Sequence, residues 1–305
     1  MTAGTLREAL ATIRILSPNS FTLMGKKEEG TVLLEALAES LYAHLHCRMP
    51  LESDAVPAFA SWAGTRDFVE GLSEANSGSG TWQDGWTVRA VAPAGALVVE
   101  RRGVRYWMGK EEYRSVGDPP VGEIVAVRLP KEYREMVPGF YLALGDADDV
   151  RETSPIVRVY WNVAARAAVA LVEALTRGLN QVGIPFQLKV LTEPLRYDRV
   201  DPAVLYLPRA DYPRSLPVLA AVYQRLGSWI RSPVSLMVKQ IAPGVGLAED
   251  PGDGSSYGEH RSRLLAGLVI EERLGSLESL GYRLDALYLN PGSIDDFEGI
   301  VPHDD

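Results

Sequence analysis

The sequence has very little cysteine, since Cys47 is the one thiol in 305 residues. A single thiol cannot form an intramolecular disulfide, which excludes a disulfide-stapled secreted fold and fits a reducing compartment. The N-terminal stretch MTAGTLREALATIRIL lacks the long apolar core of a signal peptide. No stretch approaches the ~18 consecutive apolar residues that a membrane span requires. These absences predict a soluble, cytoplasmic protein without a membrane partner.

The sequence also lacks any basic stretch, and it carries a formal net charge of -9 with a pI near 5.1. A nucleic-acid partner is therefore not expected, because nucleic-acid-binding domains are usually basic or carry a basic patch. Kinase motifs are missing too. No glycine-rich phosphate loop follows a predicted strand, and the EHRS stretch at 259–262 lacks the aspartate of a kinase catalytic loop. A small local cationic pocket is still compatible with this composition.

The sequence does have enough apolar residues, 46%, to form a sizeable core. Its length fits one large domain or two ordinary ones. Changes in local pattern predict an α+β fold in three parts: an N-terminal helical region, a small antiparallel β meander, and a mixed α+β core. We place them at residues 1–72, 73–150 and 151–305, and the three could also form one continuous domain.

The first two parts are predicted from capping, periodicity and turn residues. Thr5 and Glu8 have the spacing of a capping box for the helix LREALATIRIL. Apolar residues at helical spacing predict two further helices, in TVLLEALAESLYAHLHC and SWAGTRDFVEGL. The stretch at 73–86 is either a linker or, because it contains two tryptophans, an ordered loop. Short β-branched segments then predict the meander, which PGFYLALGDADD closes near residue 149.

The last part is predicted to alternate between strands and helices. It contains three predicted helices. The first is capped by Asn162 and ended by Gly178, the second spans LPVLAAVYQRLGSWI, and the third spans GEHRSRLLAGLVIEERL. The last of these helices places His260 and Arg261 in its first turn. The predicted strands are VRVYW, IPFQLKVL, AVLYLP, SLMVKQI and RLDALYLN.

Three of these strands each carry a cation on the face opposite their aliphatic residues, because side chains alternate along a strand. The cations are Arg158, Lys189 and Lys239. They converge if the strands are neighbours in one sheet, and otherwise they lie on solvated outer faces. The start of a helix suits an anion because of its free N–H groups and its positive dipole end. The pattern therefore predicts a phosphate site, with further cations at Arg196, Arg199, His260, Arg261 and Arg263.

Some residues near this predicted site have structural alternatives. His260 is either part of the site or a surface residue in an ordinary hydrogen bond. The carboxylates at 249–250 either take part in catalysis or pair with Arg199 or Arg261 and hold it in place. The histidines and cysteine at 43–47 have only weak metal-ligand spacing. We interpret that segment as a helix end and predict no metal site.

Six stretches of the sequence match one known family: FQLKVL, RYDRVDPAVLYL, IAPGVGLAEDP and SSYGEHRSRLLA, together with ANSGSGTWQDGW and VRVYWN. In combination they resemble the HopA-like effector family. The resemblance spans roughly residues 70–292. That family was first named for a bacterial type III secreted effector. It also occurs as a stand-alone protein in actinobacterial clusters for peptide natural products.

The resemblance implies a lyase-like domain that helps to dehydrate Ser and Thr in a ribosomal precursor peptide, in a lanthipeptide-like pathway of the lexapeptide-like or thioviridamide-like type. A separate kinase-like protein phosphorylates the hydroxyl. The HopA-like protein then eliminates phosphate and leaves dehydroalanine or dehydrobutyrine. The implied partners are therefore the phosphorylated precursor peptide and the kinase-like protein. No cofactor is expected, because the elimination needs in principle only a base and groups that help phosphate to leave.

Roles are assigned on that basis. Lys189 is the predicted base, because burial and neighbouring cations can lower the pKa of a lysine. Phosphothreonine lyases of the wider class similarly use a lysine base. His260 is the predicted acid. The predicted phosphate-binding residues are Arg158, Arg199, Lys239 and Arg261, and those that orient the peptide are Tyr160, Asn162 and Tyr197.

One departure and two alternatives accompany this hypothesis. Metal-independent phosphothreonine lyases carry a Lys-x-His arrangement near the start of the domain, and this sequence does not, which leaves the identity of the acid open. Some family members bind host proteins, so one alternative is a non-catalytic module that binds the peptide or the kinase. The other is a cyclase that adds thiols to dehydro residues in the same pathway.

Overall fold

The computed structural model describes residues 5–51, 66–150, 155–250, 252 and 256–272, and it confirms an α+β chain. Among these residues no helix combines the length and the apolar character that crossing a bilayer demands. The helices are α1 (Leu6–Ala11), α2 (Leu33–Leu41), α3 (Arg66–Ala75), α4 (Ala168–Gln181), α5 (Tyr212–Leu226) and α6 (Tyr257–Glu272). The strands are β1 (Arg14–Ser17), β2 (Ser20–Leu23), β3 (Lys26–Glu29), β4 (Thr81–Val91), β5 (Leu97–Arg101), β6 (Val104–Met108), β7 (Tyr113–Arg114), β8 (Ile124–Leu129), β9 (Glu132–Val137), β10 (Phe140–Leu144), β11 (Ile156–Trp161), β12 (Gln187–Leu191), β13 (Ala203–Pro208), β14 (Lys239–Ala242) and β15 (Val245–Glu249).

The N-terminal part contains a sheet as well as helices. The capping box of α1 is confirmed, because the Glu8 N–H donates to the Thr5 hydroxyl at 3.2 Å and the Thr5 N–H donates to Glu8 Oε2 at 3.1 Å. The prediction of helices alone is wrong, since β1, β2 and β3 form a three-stranded antiparallel sheet between α1 and α2. Each of these strands has four residues, which is too few for alternation to stand out in the sequence.

The meander is confirmed as a five-stranded antiparallel sheet in the order β6-β5-β4-β8-β7. It surrounds its own small core, in which Trp86 is fully buried. The stretch at 73–86 is ordered, because the N–H groups of Ser79 and Gly80 donate to Asp146 at 2.8 and 3.0 Å. The prediction that PGFYLALGDADD closes the meander is wrong, since its strand β10 pairs with β9 and β12 in another sheet.

The central element is a seven-stranded sheet in the order β14-β15-β11-β13-β12-β10-β9, and every neighbouring pair is antiparallel. β9 and β10 precede residue 150, so this sheet extends across the boundary predicted there. The division into domains remains a prediction.

Both faces of this sheet are covered. On its first face, aliphatic residues of β11, β12 and β13 pack in one core with α4, α5 and Leu72 of α3. On its second face, Tyr160, Val204 and Ala248 pack with residues of α1, α2, β2 and α6. The N-terminal segment is therefore a layer of the fold and lies against the face opposite α4 and α5.

Several predicted boundaries in the last part differ from the structure. Asn162 does not cap α4, which begins at Ala168 after a short 3-10 turn, and Gly178 does not end α4, which continues to Gln181. Only the end of SLMVKQI is in a strand, because β14 begins at Lys239. The predicted strand RLDALYLN lies outside the described residues.

The tight turn between β14 and β15 supplies a stability test. Gly244 has φ +76°, and a Cβ atom there would lie 2.2 Å from the Arg231 carbonyl oxygen. Gly85 has a similar φ of +86°, but a Cβ atom there would meet nothing within 4 Å. We expect Gly244→Ala to destabilise the protein by about 2–5 kcal/mol, because backbone strain and overpacking add, and Gly85→Ala by about 1–2 kcal/mol. Urea unfolding of both variants measures the difference, and equal losses would contradict the close approach.

Candidate functional site

The second face of the seven-stranded sheet carries a group of polar side chains. The strand register pairs Lys189 with Val204 and Val204 with Tyr160, so these residues form one row across β12, β13 and β11. In the next row Tyr206 pairs with Arg158. We call Arg158, Tyr160, Lys189 and Tyr206 the polar face. The predicted convergence of Arg158 and Lys189 on one face is confirmed.

Lys189 has no hydrogen bond or ion pair with the described residues. Its ammonium lies 3.9 Å from the centre of the Phe140 ring, in a cation–π contact. Burial lowers the pKa of Lys189, and the positive charges of Arg199 and Arg158 act in the same direction. Asp201 and Glu259 oppose this shift without reversing it. The structure thus holds on a rigid strand an amine that loses its proton more readily than an exposed lysine does.

The two phenols of the polar face also make no hydrogen bond to a described residue. Tyr160 is only 4% exposed, and Tyr206 is half-buried with the central carbon of the Arg158 guanidinium 5.3 Å from the centre of its ring. Burial raises the pKa of both phenols. They therefore stay protonated at neutral pH and can donate hydrogen bonds. Buried polar groups without a partner are uncommon in proteins and are frequent where a ligand binds.

Arg158 is paired with a carboxylate from the end of β15. Its Nε donates to Asp250 Oδ2 at 2.8 Å, and its terminal nitrogen donates to the same oxygen. Glu249, the neighbour of Asp250, pairs with Arg209 at 3.2 Å. The carboxylates at 249–250 thus pair with arginines, which is one of the two predicted alternatives. The observed partners are Arg158 and Arg209, whereas the sequence suggested Arg199 or Arg261.

A buried ion pair lies beside the polar face. Arg199 donates from Nε and a terminal nitrogen to the two oxygens of Asp201, at 2.5 and 2.7 Å. The same terminal nitrogen of Arg199 lies 3.1 Å from the Tyr42 hydroxyl and 3.0 Å from Cys47 Sγ. Burial alone would raise the pKa of Asp201, but Arg199 overrides it and lowers that pKa to about 2. Arg199 was predicted to bind phosphate, and here its guanidinium is occupied by a carboxylate.

His46 joins the N-terminal segment to this ion pair. It ends a π-helical turn after α2, which confirms the helix end predicted for the 43–47 segment. Its Nε2 lies 3.6 Å from Asp201 Oδ2, and its Nδ1 lies 3.0 Å from the Ser235 hydroxyl. Burial lowers the pKa of His46 to about 4, so the ring is neutral at pH 7. The edge of the ring faces Gly258, where a Cβ atom would lie 2.3 Å from His46 Cδ2.

The N-terminus of α6 also lies beside the polar face. The Ser256 hydroxyl accepts the Glu259 N–H at 3.1 Å, and the Tyr257 hydroxyl donates to the Met237 carbonyl at 2.5 Å. The Arg261 guanidinium lies over the Tyr257 ring, 5.3 Å from its centre. His260 is in the first turn, as predicted, and is half-buried. The acid role of His260 and the phosphate role of Arg261 remain predictions.

Three predicted site residues are placed away from the polar face or are engaged elsewhere. The register pairs Lys239 with Leu247, which belongs to the core on the first face, so Lys239 does not converge with Arg158 and Lys189. The amide of Asn162 donates to the Pro233 carbonyl at 2.7 Å and accepts from Arg231 at 3.0 Å. Tyr197 donates to the Leu191 carbonyl at 2.8 Å. The last two side chains hold loops together.

The error for Lys239 has a simple origin. Alternation correctly puts Lys239 opposite Val238, but Val238 packs in the core of the second face and not with α4 and α5. The apolar side of this segment therefore points in the opposite direction from the apolar sides of β11 and β12. The sequence alone does not distinguish the two cores.

Tyr206, His46, Asp201 and Tyr257 were not predicted as site residues. Tyr206 could have been found, because alternation in AVLYLP puts it on the face opposite Leu205 and Leu207. His46 and Asp201 gave no such signal, since they are far apart in the sequence and only tertiary packing brings them together. Within the described ranges, no cluster of three or more His, Cys, Asp or Glu side chains could hold a metal ion.

Comparisons with known proteins found one matching family model and several similar solved structures. The family model of the HopA1 effector protein family matches residues 132–290. No curated protein matches the chain. Among solved structures, an effector protein from Pseudomonas syringae pv. tomato strain DC3000 is 15% identical with a TM-score of 0.48, and the match covers 83% of this chain and 86% of that one. An effector protein from Pseudomonas syringae pv. syringae strain 61 is also 15% identical, with a TM-score of 0.39 and coverage of 77% and 84%.

The contact between α6 and His46 can be tested with two glycines of one helix. Glycine to alanine inside a helix normally stabilises it by up to about 1 kcal/mol. Gly267→Ala should do so, because a Cβ atom there meets nothing within 4 Å. Gly258→Ala should instead destabilise by about 1–3 kcal/mol, because the new methyl group overlaps the His46 ring. The measurement is urea unfolding, and stabilisation by both substitutions would refute the contact.

His46 should also make stability depend on pH. Its pKa is about 4 in the folded protein and about 6.5 when unfolded, so the unfolded state binds more protons between those values. The stabilisation is fully present above pH 6.5 and is lost as the pH falls to 4, by about 3 kcal/mol in all. Urea unfolding at pH 7, 6 and 5 should give a flatter dependence for His46→Gln than for the wild type. Identical slopes would show that His46 titrates normally.

Proposed function

The chain belongs to the HopA1 effector protein family, and we propose that it is a phosphoserine or phosphothreonine lyase that acts on a ribosomal precursor peptide. The reaction removes the Cα proton and expels phosphate from Cβ, which leaves dehydroalanine from phosphoserine or dehydrobutyrine from phosphothreonine. Such products are the precursors of thioether rings in lanthipeptide-like biosynthesis.

The observation that carries this proposal is the state of Lys189. A base for a Cα proton must be neutral, accessible to the substrate and rigidly held. Lys189 is on a central strand, has no hydrogen bond or ion pair among the described residues, and has a pKa lowered by burial. Its lone pair would take the Cα proton, the C–H electrons would form the Cα=Cβ bond, and the Cβ–O bond would break with its electrons leaving on phosphate.

The leaving phosphate would bind between Arg158 and the first turn of α6. The Arg261 guanidinium lies over the Tyr257 ring, and the positive charge of Arg158 on β11 also lowers the pKa of that phenol, against the larger effect of burial. A phosphate dianion would compete with Asp250 for Arg158, since both offer oxygens to the same N–H groups. His260, in the same turn of α6, remains the proposed acid. Of the four cations predicted to bind phosphate, Arg158 and Arg261 best fit this arrangement.

The proposed partners are the phosphorylated precursor peptide and a separate kinase-like protein of the same pathway. The sequence shows no kinase catalytic loop, and we therefore assign the phosphoryl transfer to that kinase-like protein. The steps assigned to Lys189, Arg158 and His260 need no cofactor in principle. A cytoplasmic location, where the precursor peptide and ATP occur together, forms part of this proposal.

A second candidate function is a non-catalytic module that binds the peptide or the kinase. It is favoured by apolar side chains on the outer face of the five-stranded sheet, where Trp107 is 66% exposed and Ile124 is 68% exposed. A protein-binding surface is commonly built from exposed apolar side chains that form a contiguous patch, and these two side chains would contribute to one. The proposed cyclase activity has no comparable observation in its favour.

Substitution of Lys189 separates these functions. Lys189→Ala should lower the rate of phosphate elimination by about 10²–10⁴-fold, because a positioned base is lost. Lys189→Arg should be just as slow, because it keeps the positive charge but does not deprotonate. Lys110→Ala, in an exposed turn of the meander, should react like the wild type. The measurement is mass spectrometry of phosphothreonine peptides, which records the loss of phosphoric acid.

Each outcome has a defined meaning. If Lys189→Arg keeps the wild-type rate, Lys189 binds phosphate and is not the base. If Lys189→Ala leaves elimination unchanged, the catalytic role of the polar face is wrong. If the wild type eliminates nothing, alone or with its kinase, but Lys189→Ala still binds that kinase, the binding module replaces the lyase as the preferred function.

A further inference from the structure

We propose that the Tyr160 hydroxyl donates a hydrogen bond to the carbonyl oxygen of the phosphorylated residue and stabilises the enolate that forms there. This inference rests on the proposed lyase function and names a catalytic group for the removal of the Cα proton. It gives Tyr160 a role in the transition state, beyond the orientation of the peptide that its sequence context suggested.

The first observation is that Tyr160 is held firmly and yet has a polar end without a partner. Its ring lies edge-on to the His46 ring, with centres 5.6 Å apart, and 6.4 Å from the Tyr257 ring. The residue is 4% exposed. Its hydroxyl makes no hydrogen bond to any described residue, whereas the neighbouring phenol of Tyr257 donates to a backbone carbonyl. A buried hydroxyl normally finds such a partner, so its availability here points to a ligand.

The second observation is the position of Tyr160 relative to the proposed base. Lys189 and Tyr160 are in the same row, with Val204 between them. Neighbouring strands are about 4.8 Å apart, so the two Cα atoms are roughly 10 Å apart and both side chains project from the same face. One residue of an extended peptide would span this separation, with its Cα facing one group and its carbonyl facing the other.

The chemistry requires two groups at such positions. When Lys189 Nζ takes the Cα proton, the electron pair of the C–H bond spreads onto the carbonyl oxygen, which lies roughly 2.4 Å from Cα according to the Cα–C and C=O bond lengths. A donor aimed at that oxygen stabilises the transition state more than the ground state. The enolate then collapses to form the Cα=Cβ bond, and the Cβ–O bond breaks as phosphate leaves. The phenolic proton stays on Tyr160 throughout.

Tyr160 suits this task better than Tyr206 does. Tyr206 is in the row of Arg158 and lies under its guanidinium, on the side where phosphate is proposed to bind. Burial keeps Tyr160 protonated at every pH at which the lyase would operate, so it donates a hydrogen bond and does not compete with Lys189 for the proton. The rigid packing against His46 also means that no reorganisation is needed as charge develops.

The test compares Tyr160→Phe with Tyr223→Phe. Tyr223 is on α5, on the other side of the sheet, and donates to the Pro243 carbonyl at 3.2 Å. The substrate is a synthetic phosphothreonine peptide chosen for its reactivity with the wild type from a pool with randomised flanking residues, prepared with either hydrogen or deuterium at Cα. The readouts are kcat, KM and the deuterium isotope effect on kcat, with thermal unfolding as the check that both variants fold.

We expect Tyr160→Phe to lower kcat by about 10²–10³-fold, with KM changed less than about threefold and with an isotope effect at least as large as in the wild type, because proton removal becomes more limiting. Tyr223→Phe should match the wild type. If Tyr160→Phe retains the wild-type kcat, or if only KM rises, the proposed role is wrong while the lyase function stands. If the wild type itself eliminates no phosphate, with or without the kinase, the lyase function fails and this role fails with it.

Discussion

The buried ion pair between Arg199 and Asp201 is the interaction on which the rest of the site depends. Moving two charges out of water costs several kcal/mol per ion, and the cost is recovered only when the geometry is good and other groups satisfy the remaining donors and acceptors. Here two parallel N–H···O bonds form the pair, and Tyr42, Cys47 and His46 from the N-terminal segment complete its surroundings. The pair therefore fastens the N-terminal layer to the sheet.

The same pair also determines the electrostatic environment of Lys189. Asp201 favours the charged form of Lys189 and Arg199 disfavours it, so the two charges act on the lysine pKa in opposite directions. Burial is then the main cause of the lowered lysine pKa, with Arg158 as a further contribution. Without Arg199 beside it, the negative charge of Asp201 would favour the protonated form of Lys189 more strongly. The lowered pKa of Lys189 therefore depends on the positive charge of Arg199 as well as on burial.

A sheet covered on both faces would normally carry apolar residues on both. The second face of the seven-stranded sheet departs from this where Arg158, Tyr160, Lys189 and Tyr206 interrupt the core around Val204 and Ala248. Such local violations of packing rules are expected at functional sites, where stability is given up for a chemical purpose. The two rows also divide the proposed work: Lys189 and Tyr160 handle the proton and the enolate, and Arg158 and Tyr206 lie nearer the phosphate.

Local patterns in the sequence determined the capping box of α1, the strands of the meander, the start of α6 and the shared face of Arg158 and Lys189, because each of these depends on a few neighbouring residues. Only the tertiary structure decided which face Lys239 occupies, that a carboxylate already holds Arg199, and that His46 lies beside Asp201. Alternation identifies the apolar side of a strand but not the layer that covers it. In this protein a separate core covers each face of the sheet. The apolar side of β11 therefore faces α4 and α5, whereas the apolar side of the segment before β14 faces the N-terminal layer.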